Sequence, residues 1–373
     1  MMDNRNIKLA NNIIKNSINL KSKDNLLIDV IGKDGIELAN EIFKQSKEID
    51  AIPKINLISY ENLKCFLINA SEEKIVEYGK KDYERMKKMQ AYIGISAPKS
   101  DRVLEGVPQK KIELYNKYYT ALVHLDQRVK YTKWCILGYP NDYFASKNNM
   151  TLNDFKDFYY NVCNVDYAKM KTAMKPLKEL MNKTDRVHII APGTDLYFSI
   201  KDIPSEMYYG TFNIPDGEVA TCPIKNSVNG YITYNTKTKY NDIIFENIKF
   251  EFIDGKIINA TAKEYTEELN KILDTDAGAR YIGEFAFGLN PYVDNTMCDT
   301  LFDEKINGSF HLTPGMALEE SDNGNKSAIH WDIVKILRKE YGGGEIYFDN
   351  RLIMKDGKFI IKNLKNLNPE NLK

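Results

Sequence analysis

A change of texture part-way along this chain sets the strongest limit on how it folds. Up to about residue 185, apolar runs of strand length alternate with stretches of helical period. Residues 6–22 carry apolar positions at helical spacing, Asn25–Val30 reads as a strand, Asp34–Gln45 as a helix and Ala51–Leu57 as a second strand. A long charged helix over 72–89 and a buried strand, Ala91-Tyr-Ile-Gly-Ile-Ser96, continue the alternation. Strands separated by helices return to one sheet in parallel, so the pattern predicts an α/β N-terminal domain with a helix-covered sheet, closed by a helical stretch over 151–183. From Arg186 onward hairpin signals accumulate instead: Asp254-Gly255, Asp349-Asn350 and Asp356-Gly357 each sit between β-rich runs. The second half is therefore expected to be an α+β C-terminal domain rich in antiparallel strands. Helices are expected near 262–276 and 331–341, with a loosely ordered polar tail from about 364. The expected domains are 1–185 and 186–373.

A chain of 373 residues exceeds what one core usually supports, in agreement with two domains. Its 52 basic and 52 acidic residues balance, which argues against non-specific nucleic-acid binding and against a polybasic membrane partner. No GxGxxG follows the first strand, so a dinucleotide is not expected. Cys65, Cys135, Cys163, Cys222 and Cys298 are scattered and form no CxxC, as in a reducing compartment. The N-terminus lacks an apolar signal core, and apolar runs such as Leu26-Leu-Ile28 are too short to span a bilayer. These features predict a soluble, cytoplasmic protein.

The residues with chemical potential gather in the second half. Of four histidines, His311 and His330 share a block with Glu284 and Asp332, and Glu218 precedes that block. Imidazole nitrogen and carboxylate oxygen are the ligands of divalent transition metals. Two residues apart, His330 and Asp332 aim at one point if their segment is extended. The apolar neighbours of Glu284 force a carboxylate into or beside a core, where it needs a partner. His311 lies in an alternating stretch taken as a strand, and Glu218 follows the turn signature Pro215-Asp-Gly217. Singly, each has an ordinary explanation: a surface pair, a salt-bridge partner or a plain turn. Their weight comes from occurring together in one domain. His124 and His188, set in apolar stretches, read as satisfied core residues.

Several phrases together resemble the M29 metalloaminopeptidases, the aminopeptidase T and aminopeptidase S group. They are Lys133-Trp134 with Tyr139-Pro-Asn141, Gly193-Thr-Asp-Leu196, Asn213-Ile-Pro-Asp-Gly-Glu-Val219, Gly283-Glu284, Asp299-Thr-Leu-Phe-Asp-Glu-Lys305, and Gly324-Asn-Lys-Ser-Ala-Ile-His-Trp-Asp332. The resemblance implies an α/β domain beside a metal-bearing domain, assembly as homodimers, and two divalent ions such as zinc, cobalt or manganese. It assigns Glu218, Glu284, His311, His330 and Asp332 as ligands, with Glu284 bridging, and Glu218 and Glu284 as catalytic carboxylates. Asp195 is a candidate to orient a ligand, or a plain turn residue. One departure stands out: the family's tyrosine seven residues after the first histidine is here Leu318. Leucine has no hydroxyl to offer an oxyanion. Glu319 and Glu320 follow, as a candidate substitute or a solvated acidic pair.

The expected activity is release of N-terminal amino acids from short peptides by a metal-bridged hydroxide. A rival reading takes His311, His330 and Asp332 as the facial set of a mononuclear non-haem Fe(II) ring-cleaving dioxygenase. Retention of Glu218 and Glu284 argues against it. A third reading is a catalytically silent relative that binds peptide or metal.

Overall fold

The computed structural model describes residues 3–373, the first two methionines lying outside it. Its contacts divide the chain into two compact units, residues 1–164 with 210–214, and 165–209 with 215–373. The first is built on a parallel sheet in the order Ile52–Ile58, Asn25–Ile31, Ala91–Ser96, Lys133–Gly138, Asn213–Ile214. Leu26, Leu27, Ile28 and Val30 are all buried, as expected of a strand covered on both faces. Helices Ile36–Glu48 and Glu72–Met86 make crossovers, and the second begins at Ser71, whose hydroxyl accepts from the Lys74 N–H.

The second unit contains two large antiparallel sheets and a two-stranded one, Thr238–Tyr240 with Ile243–Phe245. Eight strands run in the order Lys256–Thr261, Lys249–Ile253, Asn229–Thr233, Thr194–Ser199, Arg186–Ala191, Glu345–Phe348, Arg351–Lys355, Lys358–Phe359. Five more run Ile333–Ile336, Ser309–Pro314, Ile282–Gly288, Glu218–Thr221, Glu206–Tyr208. The hairpin signals act as read: at Asp254-Gly255, Asp349-Asn350 and Asp356-Gly357 both residues have positive φ, as tight turns require. Phe285, Phe287 and Phe310 lie on one face of the five-stranded sheet. Phe285 packs on Phe198 at 5.0 Å, and Phe287 on Phe348 at 6.1 Å and Phe359 at 5.6 Å, so aromatic rings join the two sheets.

Three expectations are corrected. The stretch 331–341 is not a helix but strand Ile333–Ile336 followed by a short 3-10 turn, Lys339–Tyr341. Ile333, Val334 and Ile336 are β-branched and buried, and they pair with Ser309–Leu312, so burial on a sheet prevails over helical spacing. The helical stretch 151–183 is two helices, Leu152–Cys163 and Tyr167–Met181, separated where Asp166 caps the second by accepting from the Lys169 N–H. Because that second helix packs within the second unit, position 185 falls inside that unit. The polar tail is anchored, with Leu364, Leu367 and Leu372 all buried. Among the described residues no helix is long and apolar enough to cross a membrane, and none of the five cysteines is in a disulfide.

Phe285 is fully buried at the junction of the two sheets. Phe285→Ala is expected to cost about 3–5 kcal/mol in chemical denaturation. A loss under about 1 kcal/mol would contradict the packing described.

Candidate metal centre

Side chains alternate along a strand, so the five-stranded sheet has a second face opposite the aromatic one. Register sets Glu218, Gly288 and Ser309 in one row, Ala220, Ala286 and His311 in the next, and Glu284 with Thr313 beyond. The face thus carries two carboxylates and an imidazole among small residues. Gly288 is needed for what covers it: a Cβ there would lie 2.2 Å from the Ile306 carbonyl oxygen. The absence of a side chain lets the 304–306 segment cross closely and brings Lys305 beside Glu218.

Glu284 lies at the middle of the cluster. Its Oε1 faces His311 Nε2 at 3.4 Å and its Oε2 faces His330 Nε2 at 3.2 Å. Glu218 Oε2 stands 3.7 Å from His311 Nε2, and Asp332 Oδ1 stands 3.3 Å from His330 Nε2. Two groups of donor atoms result, Glu218–Glu284–His311 and Glu284–His330–Asp332, each compact enough to hold an ion and sharing Glu284. Ligands about 2.1 Å from a tetrahedral ion stand roughly 3.4 Å apart, so these spacings fit one. Glu218 Oε2 and His311 Nδ1 are buried with no hydrogen-bond partner. An ion beside Glu218 would satisfy the first of these.

Neighbouring groups fix the donors. Thr313 Oγ1 donates to Asp332 Oδ1 at 2.6 Å. His330 Nδ1 pairs with the Met316 carbonyl at 2.9 Å, which makes Nδ1 the donor and leaves Nε2 facing the carboxylates. Lys305, 2% exposed, contacts Glu218 Oε1 at 2.7 Å, Glu304 at 2.8 Å and Asp216 at 3.4 Å. Glu218 therefore gives one oxygen to Lys305 and points the other toward His311.

Without an ion, protons hold the cluster together. Burial pushes the Glu218 carboxyl up to about 7, with Lys305 and His311 restraining it. Burial alone would lower His311, but the hydrogen bond to Glu284 and the facing carboxylates raise it to about 9. His330 follows the same balance, burial opposed chiefly by Asp332, and ends well above an ordinary imidazole. Burial would raise Glu284 and Asp332 too, but the histidines hold both below the usual carboxylate range.

All five residues singled out as ligands thus converge. His330 and Asp332 do so from extended chain, with an isolated bridge between His330 and Gly315. Asp195 does not join them. Its carboxylate pairs with His188 Nε2 at 2.9 Å on the eight-stranded sheet, and ligand orientation falls to Thr313 and the Met316 carbonyl. Leu318 borders the cluster, its N–H donating to the Gly283 carbonyl at 3.3 Å. Glu319 and Glu320 are exposed. Sequence reasoning gave no role to Asp216, Glu304, Lys305 or Thr313. The adjacent charges Glu304-Lys305 in a stretch leading to buried apolar residues were the available signal.

The family description "Thermophilic metalloprotease (M29)" matches residues 2–359. The chain belongs to the M29 metallopeptidase family. It is 24% identical over 319 residues to aminopeptidase 2 of Geobacillus stearothermophilus, spanning 72% of this chain and 73% of that protein. Aminopeptidase PepS of Streptococcus thermophilus is 24% identical across 88% of this M29 chain and 91% of its own. In structure, AmpT of Thermus thermophilus superposes with a TM-score of 0.78 at 19% identity, covering 96% of this chain and 99% of that one. A 2,5-dihydroxypyridine dioxygenase of Pseudomonas putida shares the fold more distantly, with a TM-score of 0.60 at 12% identity over 96% of this chain and 98% of that one.

With His311 raised to about 9 and Glu218 to about 7, ion binding between them is expected to displace protons. The affinity of that ion is expected to rise about tenfold per pH unit between pH 7 and 8, and more steeply below about 7, where Glu218 also gives up a proton. Zinc titration calorimetry of metal-free protein in buffers of different ionisation heat checks this. A pH-independent affinity with no proton release would refute it.

Proposed function

We propose that the protein is a metal-dependent aminopeptidase that releases N-terminal residues from short peptides. Two divalent ions (zinc, cobalt or manganese) would be held by Glu218, Glu284 and His311 on one side and by Glu284, His330 and Asp332 on the other. The observation that carries this reading is the presentation of the two Glu284 oxygens to two different histidines. Charge supports it as well. Asp216, Glu218, Glu284, Glu304 and Asp332 outnumber the single ammonium of Lys305. Divalent cations would offset the excess, and buried charge of one sign is otherwise very costly.

When bound, such ions polarise a carbonyl and make a shared water acidic enough to ionise near neutral pH. The chain's own residues do the rest. Glu284 holds both halves of the site in one frame. Lys305 fixes Glu218, Thr313 fixes Asp332, and the Met316 carbonyl fixes the His330 tautomer. Glu218 and Glu284 would border the space where the water reacts. His330, with its side chain 35% exposed, marks the mouth. The free α-amine of a peptide, which an internal segment lacks, would bind an ion or pair with a carboxylate of the site, which favours cleavage from the end.

The oxygenase reading is weaker. His311 and His330 belong to different donor groups, and two further carboxylates occupy positions that a facial iron site leaves open. The likeness to the dioxygenase bears on the fold alone.

Glu284→Ala is expected to abolish release of p-nitroaniline from aminoacyl-p-nitroanilides and to remove bound metal from both halves. Thr313→Val should reduce metal affinity or turnover roughly 10–100-fold. Elemental analysis beside the activity assay reads both. Full turnover after exhaustive chelation, or one iron ion per chain with oxygen uptake, would sink the proposal.

A further inference from the structure

Strand Glu206–Tyr208 closes the metal-bearing sheet at one edge. It runs antiparallel to Glu218–Thr221, and the register sets Tyr208 directly opposite Glu218. Residues opposed in an antiparallel pair project from the same face. Tyr208 therefore stands on the polar face, beside the first carboxylate of the site. Glu206, on the same face two residues earlier, is tied to Lys178 at 2.8 Å, which pins the strand's other end.

The electrical surroundings of the phenol agree with that register. Burial makes its proton harder to lose, and the carboxylates of Glu320, Glu284 and Glu218 add to that effect, while Lys305 opposes it. Three of these four neighbours belong to the cluster described above.

We propose that Tyr208 is a catalytic residue whose phenol donates a hydrogen bond to the scissile carbonyl oxygen as that oxygen becomes an oxyanion. This rests on the aminopeptidase reading and adds a residue to it. In the reaction, water oxygen bonds to the carbonyl carbon, the C–N bond breaks, and the amine leaves with a proton that originated on the water. Tyr208 keeps its own proton throughout, as a phenol with an ordinary pKa near 10 does at neutral pH. A neutral donor held on an edge strand needs little reorganisation when charge develops, the condition under which such donors are most effective.

The test compares wild type with Tyr208→Phe, both loaded with cobalt, in two measurements. In turnover of leucyl-p-nitroanilide, the variant is expected to lose about 10²–10³ in kcat with KM little changed. In binding followed by the cobalt absorption band, it should bind the phosphonate analogue of leucine at least tenfold more weakly. The phosphonate carries the tetrahedral oxyanion. Affinity for leucine, and cobalt content, should stay the same. Equal kcat, or an unchanged ratio of phosphonate to leucine affinity, would overturn the assignment. If the wild type itself fails to turn over, the aminopeptidase reading falls and this assignment with it, whereas an active wild type matched by an equally active variant overturns the assignment alone. An equal fall in leucine and phosphonate affinity, or loss of cobalt, would mean that the ring serves only to support the site, and the proposal fails.

Discussion

Negative charge concentrated on one face of one sheet is the constraint from which the rest of the second unit follows. Asp216, Glu218, Glu284, Glu304 and Asp332 are gathered within reach of a single buried ammonium, Lys305, and two imidazoles. Removing so many carboxylates from water is unfavourable unless cations or protons compensate. In the protein alone the histidines hold protons and Glu218 is pushed toward the neutral form. Metal and protons therefore compete for the same atoms, and the site's readiness for an ion is inseparable from its cost without one.

The period of two along a strand makes this arrangement compatible with a stable fold. Phe285, Phe287 and Phe310 project one way and join the two sheets, while Glu284, Ala286 and His311 project the other way. Neighbouring residues thus serve packing and chemistry without sharing an environment. A slip of one residue in register would put phenyl rings into the charged cluster and carboxylates into the core. The aromatic contacts consequently also fix the positions of the donor atoms. Bare backbone at Gly288 completes the arrangement by allowing the Lys305 segment to cross close above the sheet.

The sequence was legible where local pattern and tertiary demand agree. The parallel strands of the first unit are continuous apolar runs, and the hairpins carry turn residues whose positive φ is needed. The convergence of Glu218, Glu284, His311, His330 and Asp332 was legible through motif phrases, not through periodicity, since four separate segments supply them. Ile333–Ile336 was misread because its apolar spacing suits a helix as well as a doubly buried strand, and only the partner strand decides. Asp195, left between a ligand-orienting role and a plain turn residue, has no visible partner in the sequence, and here the partner is His188 across a hairpin. Tyr208 carried no signal because its importance arises from register with Glu218.

The shared scaffold with a dioxygenase sharpens what distinguishes the present site. A fold common to hydrolytic and oxidative proteins does not select the chemistry; the donor set does. Two histidines and one aspartate are compatible with one ion that keeps open positions for substrate and oxygen. Adding Glu284 between the histidines divides the donors into two groups and joins them, and adding Glu218, held by Lys305, fills out the second. Those two carboxylates contribute nothing that an oxygen-activating iron requires. They would supply the charge and the shared carboxylate that the proposed hydrolytic site requires. Leu318, whose N–H donates to the Gly283 carbonyl, is outside both donor groups.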